Sequence, residues 1–243
     1  MEISGKVALV TGGARRLGRA FSLGLARAGA HVVINYNASA DAASATLAEI
    51  TDSGGSAIAV QADISRTADV QYLIAQAERV FGGLDILVNS ASLFERARFA
   101  EISEADFDRV LAVNVRAPFF LSQAAAPLLA AGMGGTIINI VDLSAVQAWP
   151  SYAHHAVSKA ALAHLTRVLA RALAPQVRVN AIAPGSVLPP PDDDGQDLAM
   201  GQGRQVLERA GQPDDAVSAL LWLAGADFVT GQVIAVDGGR LLL

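Results

Sequence analysis

The sequence of 243 residues contains no cysteine, which excludes disulfide bonds, thiolate nucleophiles and cysteine-ligated zinc sites. A chain without thiols fits a reducing compartment, and we expect a cytoplasmic protein. Charged residues are also scarce, at 17% of the chain, whereas apolar residues make up 52%. This composition excludes an intrinsically disordered protein, because such chains are poor in apolar residues and rich in charge.

Neither sign of charge is in large excess. Lys and Arg number 18 and Asp and Glu number 23, which gives a net charge of −5. This mildly acidic balance argues against nucleic acid or an anionic membrane as the main partner. No apolar run reaches the roughly 18 residues of a membrane span, since the longest candidate, 117–132, is interrupted by Ser122, Gln123 and Pro127. The opening MEISGK leads directly into a strand-like run, and we expect no signal peptide.

Short apolar runs alternate with longer, alanine-rich runs that have helical spacing. The predicted strands are residues 6–11, 31–36, 56–61, 84–89, 136–141, 177–182 and 233–236. The predicted helices are residues 17–28, 40–51, 68–81, 104–131, 152–174 and 214–224. Because the strands are apolar throughout, they fit a parallel sheet that is covered on both faces. The pattern predicts an α/β fold, a doubly wound parallel sheet of about seven strands with helices on both faces.

One segment interrupts this alternation. Residues 188–203 contain the run PPPDDDG and scattered glycines. We interpret the segment as a mobile loop late in a single domain that spans residues 1–243. The alternative is a solvated turn without a role.

The first predicted strand runs into a glycine-rich turn. The strand VALVT is followed by GGARRLGRA and then by an amphipathic helix. Glycines permit a tight turn, and the first N–H groups of the helix can bind a phosphate. In this position the cluster indicates a Rossmann-type dinucleotide-binding domain, although a purely structural turn is the alternative.

The turn TGGARRLG resembles the TGxxxGxG motif of the short-chain dehydrogenase/reductase family. Thr11, Gly12 and Gly18 match the motif, and Arg16 stands at its middle glycine. The resulting TGxxxRxG form is similar to the pteridine reductase branch of that family. Because arginine tolerates a positive φ poorly, we expect a negative φ at Arg16, as in a first helical turn.

The end of the second strand indicates which nicotinamide nucleotide is bound. NAD sites usually carry an Asp or Glu there to bind the ribose hydroxyls, whereas this strand ends in INYNAS, with no acid before Asp41. Arg15 and Arg16 lie in the turn and suit a 2′-phosphate. We therefore predict NADPH; the alternative is that both arginines form a solvated surface pair. The residues predicted at this end of the cofactor are Arg15, Arg16, Leu17, Asn35, Tyr36, Asn37 and Ser39.

The resemblance extends over nearly the whole chain and implies further cofactor contacts. In the family, an aspartate after the third strand binds the adenine amino group, and Asp63 holds that position in QADIS. The run LVNSAS occupies the position of the family motif NNAG, and PGS and VDGG follow later. The contacts implied in this way are those of Gly12, Asp63, Ile64, Asn89, Ser90, Ala91, Lys159, Pro184, Gly185 and Ser186.

The family resemblance also implies a catalytic set of Asn, Ser, Tyr and Lys. In the family, Tyr donates a proton to the substrate, and Lys, four residues later, lowers the pKa of that tyrosine and bonds the nicotinamide ribose. Asn114 and Lys159 match this set. Asp142 stands at the serine position, as in pteridine reductases and dihydromonapterin reductases. His155 stands where the tyrosine is expected, one helical turn before Lys159.

His155 is chemically able to replace the tyrosine, because an imidazolium can act as a general acid near neutral pH. Asp142 would stabilise its charged form, and Lys159 would oppose it. We predict that His155 is the proton donor; the alternatives are lost catalysis and donation by Tyr152. Tyr152 stands seven residues before Lys159, roughly 10 Å further along a helix, and fits a wall of the substrate pocket better. We expect His154 at the solvent or at an interface.

Substrate recognition is predicted from one aromatic residue and its neighbours. Phe94 aligns with the aromatic residue that stacks on the pterin in pteridine reductases, and stacking suits a flat heterocycle. The alternative is an ordinary core or loop phenylalanine. Trp149 is expected to extend the pocket wall, and PPPDDDG to form a short lid. The predicted substrate-binding residues are Ser92, Phe94, Asp142, Tyr152 and Leu188, and no metal site is predicted.

Together these features predict an NADPH-dependent reductase that converts a dihydropterin to a tetrahydropterin. A 3-oxoacyl thioester reductase is the second hypothesis, although Asp142, Arg16 and Phe94 argue against it. The third hypothesis is a catalytically inactive NADPH-binding protein. The resemblance further implies a homotetramer, in which the predicted helices 104–131 and 152–174 pack against a twofold mate and the last strand region packs across a second axis.

Overall fold

The computed structural model describes residues 1–132, 134–188 and 205–243. Its strands are β1 (Val7–Val10), β2 (His31–Tyr36), β3 (Ser56–Gln61), β4 (Ile86–Asn89), β5 (Gly135–Ile140), β6 (Val177–Pro184) and β7 (Val233–Val236). They form one parallel sheet in the order β3-β2-β1-β4-β5-β6-β7. The predicted doubly wound sheet is confirmed, and β2, β3 and β7 have the predicted bounds.

Helices cover both faces of this sheet. They are α1 (Arg16–Arg27), α2 (Ala40–Asp52), α3 (Thr67–Phe81), α4 (Glu104–Leu111), α5 (Ala117–Ala130), α6 (Ala153–Ala172) and α7 (Pro213–Gly225). Side chains of α3, α5 and α6 pack on one face, and side chains of α1, α2 and α7 pack on the other. In β1, Val7 and Leu9 join the first layer, and Ala8 and Val10 join the second. Because alternate residues of a strand point to opposite faces, every position of such a strand must be apolar.

The helix predicted over residues 104–131 is not continuous. Residues Ala112–Arg116 form a π-helical turn between α4 and α5, and Asn114 lies fully buried in its middle. The prediction of one helix is therefore wrong at this point. Apolar residues continue through the turn with nearly helical spacing, so periodicity alone does not reveal the insertion. π-helical turns within α-helices often occur at functional sites, and this one presents Asn114 to the site described below.

The order of the strands determines where a ligand can bind. The sheet reverses its winding between β1 and β4, and ligands of such sheets bind beyond the carboxyl ends of the strands at this point. The segments that follow β1, β4, β5 and β6 meet there. The predicted loop at 188–203 and its PPPDDDG lid lie outside the described residues, except for Leu188. Among the helices that the structure describes, none has the length and apolar character to span a membrane.

Candidate active site

A cleft of about 1350 Å³ opens beyond the carboxyl ends of these strands, and we call it the central cleft. The predicted site residues that line it are Gly12, Arg15, Arg16, Leu17, Ser90, Ala91, Ser92, Phe94, Asp142, Tyr152, His155, Lys159, Pro184, Gly185, Ser186 and Leu188. The predicted residues that are not part of its described lining are Asn35, Tyr36, Asn37, Ser39, Asp63, Ile64, Asn89 and Asn114. The structure therefore brings most of the predicted set to one place, although the residues come from distant parts of the chain.

The glycine-rich turn packs tightly against the end of β4. The Thr11 hydroxyl accepts hydrogen bonds from the N–H groups of Ser90 at 2.9 Å and Ala91 at 3.1 Å. Gly12 has a φ of +61°, and a Cβ there would lie 3.0 Å from the Ala91 Cα. A Cβ on Gly18 would overlap the carbonyl oxygen of Gly12. Only glycine fits at these two positions, so the turn forms a narrow cradle at the start of α1.

Arg16 adopts an unexpected backbone conformation. Its φ is +51°, in the left-handed region, and the expectation of a negative φ is wrong. A left-handed conformation costs an L residue about 1–2 kcal/mol, and such strain is found mainly at functional sites. Burial, followed by the neighbouring charge of Arg15, holds the pKa of Arg16 below its ordinary value. The turn thus keeps the geometry that glycine would give, while it carries a second guanidinium group into the cleft.

Asn35 supports this turn from beneath. Its side chain is 2% exposed, and its Oδ1 accepts from the N–H of Gly12 at 3.4 Å. Its Nδ2 donates to the carbonyl oxygen of Ala62 at 3.0 Å. The amide therefore links the turn after β1 to the segment after β3. The sequence predicts Asn35 as a cofactor contact, whereas the structure places its side chain in the core below the turn.

Asp63 organises the segment that follows β3. One of its carboxylate oxygens accepts from the N–H of Ser65 at 3.0 Å and from the Ser65 hydroxyl at 2.7 Å. Arg116, at the end of the π-helical turn, donates to the carbonyl oxygen of Ser65 at 2.6 Å. The segment that the resemblance assigns to adenine is consequently anchored to the same turn that carries Asn114.

His155 and Asp142 form a close pair in the wall of the cleft. His155 Nε2 lies 2.6 Å from Asp142 Oδ2, and His155 Nδ1 lies 2.9 Å from the carbonyl oxygen of Leu93. The His155 side chain is 1% exposed, whereas the Asp142 side chain is 19% exposed. The two shortest contacts of the ring are to oxygen acceptors, and His155 Nδ1 also lies 3.5 Å from the Nδ2 donor of Asn114. Both residues line the cleft, and the Asp142 side chain is the more exposed of the two.

The electrostatics of the pair involve Lys159. Burial raises the pKa of Asp142, but the hydrogen bond from His155 and the charge of Lys159 outweigh it, and the pKa lies below its ordinary value. Burial also lowers the pKa of Lys159, and the charge of Asp142 opposes that shift. Lys159 Nζ donates to the carbonyl oxygen of Ile140 at 2.8 Å. Lys159 and His155 thus lie one helical turn apart in α6, both at the cleft, as the sequence predicts.

Asn114 holds the backbone that His155 contacts. Its Oδ1 accepts from the N–H of Leu93 at 2.8 Å, and its Nδ2 donates to the Leu93 carbonyl oxygen at 3.0 Å. The same Nδ2 donates to the Ser158 hydroxyl at 2.9 Å. Asn114 and His155 therefore both bond the backbone of Leu93. This contact makes Asn114 a positioning residue that fixes the segment after β4 against α6.

An aromatic cluster forms the outer wall of the cleft. Phe94 stacks on Tyr152, with centroids 4.4 Å apart, and meets the ring of His155 edge-on at 4.7 Å. Trp149 contacts both Phe94 and Tyr152 edge-on. Tyr152 lies in a 3-10 turn, Pro150–Tyr152, just before α6. Its place in this wall matches the pocket-wall role that the sequence predicts for it.

The structure adds residues to the site and corrects one histidine. Arg96 and Arg240 also line the cleft. In the sequence, only the position of Arg96 two residues after Phe94 indicates that it lies at the cleft. No local pattern in the sequence predicts that Arg240 lies there. Of the two places expected for His154, the solvent is excluded, because the residue is 2% exposed within the chain, and an interface stays a prediction. Within residues 1–132, 134–188 and 205–243, no cluster of side chains suited to a metal ion occurs.

Comparisons with known proteins place this site in a family. A sequence profile described as enoyl-(acyl carrier protein) reductase matches residues 12–240. A 3-oxoacyl-[acyl-carrier-protein] reductase from Synechocystis sp. is 35% identical over 99% of this chain and 98% of its own.

Two solved structures show the same likeness. The structure of a dehydrogenase/reductase from Sinorhizobium meliloti 1021 is 41% identical, with a TM-score of 0.91, over 98% of this chain and 97% of its own. FolM alternative dihydrofolate reductase 1 from Brucella suis, solved in complex with NADP, is 37% identical, with a TM-score of 0.93, over 100% of this chain and 97% of its own. With the glycine turn, Lys159 and the seven-stranded sheet, these matches show that the chain belongs to the short-chain dehydrogenase/reductase family of nicotinamide-dependent oxidoreductases.

Proposed function

We propose that the protein is an NADPH-dependent reductase of a flat heterocyclic imine. The imine is a dihydropterin, and the product is a tetrahydropterin. The observation that carries this proposal is the Asp142–His155 pair beside the aromatic wall of Phe94 and Tyr152. An acid pair of this kind suits protonation of a ring nitrogen, and an aromatic wall suits a planar substrate. The similarity to a protein described as an alternative dihydrofolate reductase supports the same substrate class.

The residues of the cleft fit a phosphorylated dinucleotide. Gly12 and Gly18 leave a cradle that a Cβ would fill, and the N–H groups at the start of α1 open onto it. Arg15 and Arg16 would hold the 2′-phosphate, since no carboxylate occupies the end of β2 to compete with it. Lys159 would hold the nicotinamide ribose. The cofactor supplies the hydride when it is bound.

The proton comes from the chain itself. Reduction of a C=N bond requires a proton at the nitrogen, and the Asp142–His155 pair holds one between Nε2 and Oδ2, 2.6 Å apart. Because both nitrogens of His155 already bond protein acceptors, the ring reaches a substrate only through Asp142 or after this bond opens. In our mechanism His155 stores the proton, and the more exposed carboxyl of Asp142 passes it to the substrate. Ser144 fixes the other oxygen of Asp142 through its N–H at 2.9 Å and through its hydroxyl.

The experiment is an NADPH-oxidation screen of the purified protein. The panel contains dihydrobiopterin, dihydromonapterin and an acetoacetyl thioester. Turnover of either pterin supports the proposal. Turnover of the thioester alone favours a 3-oxoacyl reductase, for which the similarity to the Synechocystis protein argues. Tight NADPH binding without any turnover favours an inactive binding protein. The cytoplasmic location and the homotetramer stay predictions.

A further inference from the structure

The central cleft carries more positive charge than the catalytic set requires. The protein has a net charge of −5, yet the arginines that line the cleft are Arg15, Arg16, Arg96 and Arg240. The acidic side chains in its described lining are those of Glu95 and Asp142. Both are already engaged: Glu95 pairs with Arg109 at 2.5 Å, and Asp142 pairs with His155 at 2.6 Å. The cleft therefore has a surplus of cationic groups, which attracts anions.

The cofactor accounts for only half of these arginines. Arg15 and Arg16 belong to the glycine-rich turn, where the proposed function places the phosphates of NADPH. Arg96 and Arg240 come from other segments, after β4 and after β7. Neither takes part in an ion pair with a carboxylate among the described residues. Their charges are thus unused by the mechanism derived above.

Arg96 and Arg240 both line the central cleft, and a hydrogen bond anchors the segment or side chain of each. Arg96 is exposed and follows Phe94 by two residues. The N–H of the next residue, Ala97, donates to the Ser151 carbonyl oxygen at 2.9 Å. This bond ties the segment of Arg96 to the turn that carries Tyr152. Arg240 donates from Nη1 to the Ser186 hydroxyl at 2.7 Å, which fixes its side chain at the cleft.

We propose that Arg96 and Arg240 form a subsite for an anionic group at the end of the substrate opposite to its flat ring. The inference rests on the proposed function, and it narrows the substrate to a heterocycle with a carboxylate or phosphate on its side chain. A guanidinium group suits this role, because its fork of donors stays charged and can bind either anion with two hydrogen bonds. A substrate with a neutral chain uses the ring site only.

The test compares side chains on one ring. Dihydrofolate supplies carboxylates, dihydroneopterin phosphate supplies a phosphate, and dihydrobiopterin supplies a neutral chain. For each substrate, kcat/KM is measured with saturating NADPH for the unmodified protein, R96Q and R240Q. The matched control is R98Q, because Arg98 is exposed, pairs with Glu101 and is not part of the described lining of the cleft. The readout is the ratio of kcat/KM for an anionic substrate to that for dihydrobiopterin.

We expect this ratio to fall about tenfold in R96Q or R240Q, as the loss of one exposed charge-assisted hydrogen bond predicts, and to stay constant in R98Q. The dissociation constants of folate and biopterin for the complex with NADP⁺, measured by calorimetry, should shift in the same way. The larger fall of the kcat/KM ratio identifies the anion that the subsite binds: a carboxylate for dihydrofolate, or a phosphate for dihydroneopterin phosphate. An unchanged ratio in both variants, with dihydrobiopterin still reduced, overturns the subsite alone. If no pterin is reduced or bound, the proposed function fails and the subsite fails with it.

Discussion

Replacement of His155 by Phe tests the proton source directly. Phe keeps a planar ring but removes both nitrogens, so Asp142 loses its partner at 2.6 Å and the Leu93 carbonyl loses one at 2.9 Å. General acid catalysis typically contributes 10²–10⁴-fold, and we expect kcat to fall by about that factor. The affinity for NADPH should stay nearly unchanged, because Lys159 keeps its hydrogen bond to Ile140.

The same substitution has a calculable effect on stability. An unsatisfied buried polar group costs about 1–3 kcal/mol. The Leu93 carbonyl keeps Asn114 as a donor, and the Asp142 side chain is 19% exposed, so water can reach the Oδ2 atom that loses His155. The lower end of the range therefore applies to each, about 2 kcal/mol in total. This loss corresponds to a fall in Tm of roughly 4–8 °C for a chain of this size.

The assay is NADPH oxidation with dihydrobiopterin at one fixed pH. H155Y is the control, because it restores the YxxxK spacing of the family and should keep or raise the activity. If H155F reduces substrate as fast as the unmodified protein, His155 is not the proton source, and Asp142, Tyr152 or a bound water must be considered.

Four further predictions follow from the site. NADPH should bind at least about tenfold tighter than NADH, because one charge-assisted contact to the 2′-phosphate contributes about 1.5–3 kcal/mol. Equal Kd values of the two cofactors, measured by calorimetry, contradict the assignment of Arg15 and Arg16 to the 2′-phosphate. R16G should raise Tm by about 2 °C in a thermal melt, because the strain of the left-handed backbone at Arg16 exceeds the entropic cost of glycine. The same substitution should weaken NADPH binding. A lower Tm shows that the backbone at Arg16 is not strained. The pKa of Asp142 is lower in the folded protein than in the unfolded chain, where it is about 3.9. The contribution of Asp142 to the free energy of unfolding is therefore present above that pH and is lost as the pH falls. D142N should lack this loss in denaturant titrations at several pH values, and identical pH profiles of the free energy of unfolding refute the prediction. Light scattering should give the mass of a tetramer, and a monomer of 25.0 kDa contradicts the predicted assembly.

Periodicity and motif position were enough to predict the layers of the fold from the sequence. Uniformly apolar strands predict a sheet covered on both faces, and the bounds of β2, β3 and β7 agree with the structure. These features are local, because the period of apolar residues in a helix or strand depends on residues that are close together in the sequence. For the same reason the spacing of His155 and Lys159 predicts that both lie on one face of α6, which the structure shows.

Other features of the site depend on contacts between distant segments, which no local pattern contains. The π-helical turn places Asn114 where its side chain bonds Leu93 and Ser158 of α6, and these partners are distant in the sequence. The close approach of Gly12 to Ala91 likewise joins residues that are distant in the sequence. The sequence by itself determined the sheet, the glycine-rich turn and the candidate acid, whereas tertiary packing decided that His155 bonds two acceptors and that Arg240, near the end of the chain, reaches the cleft.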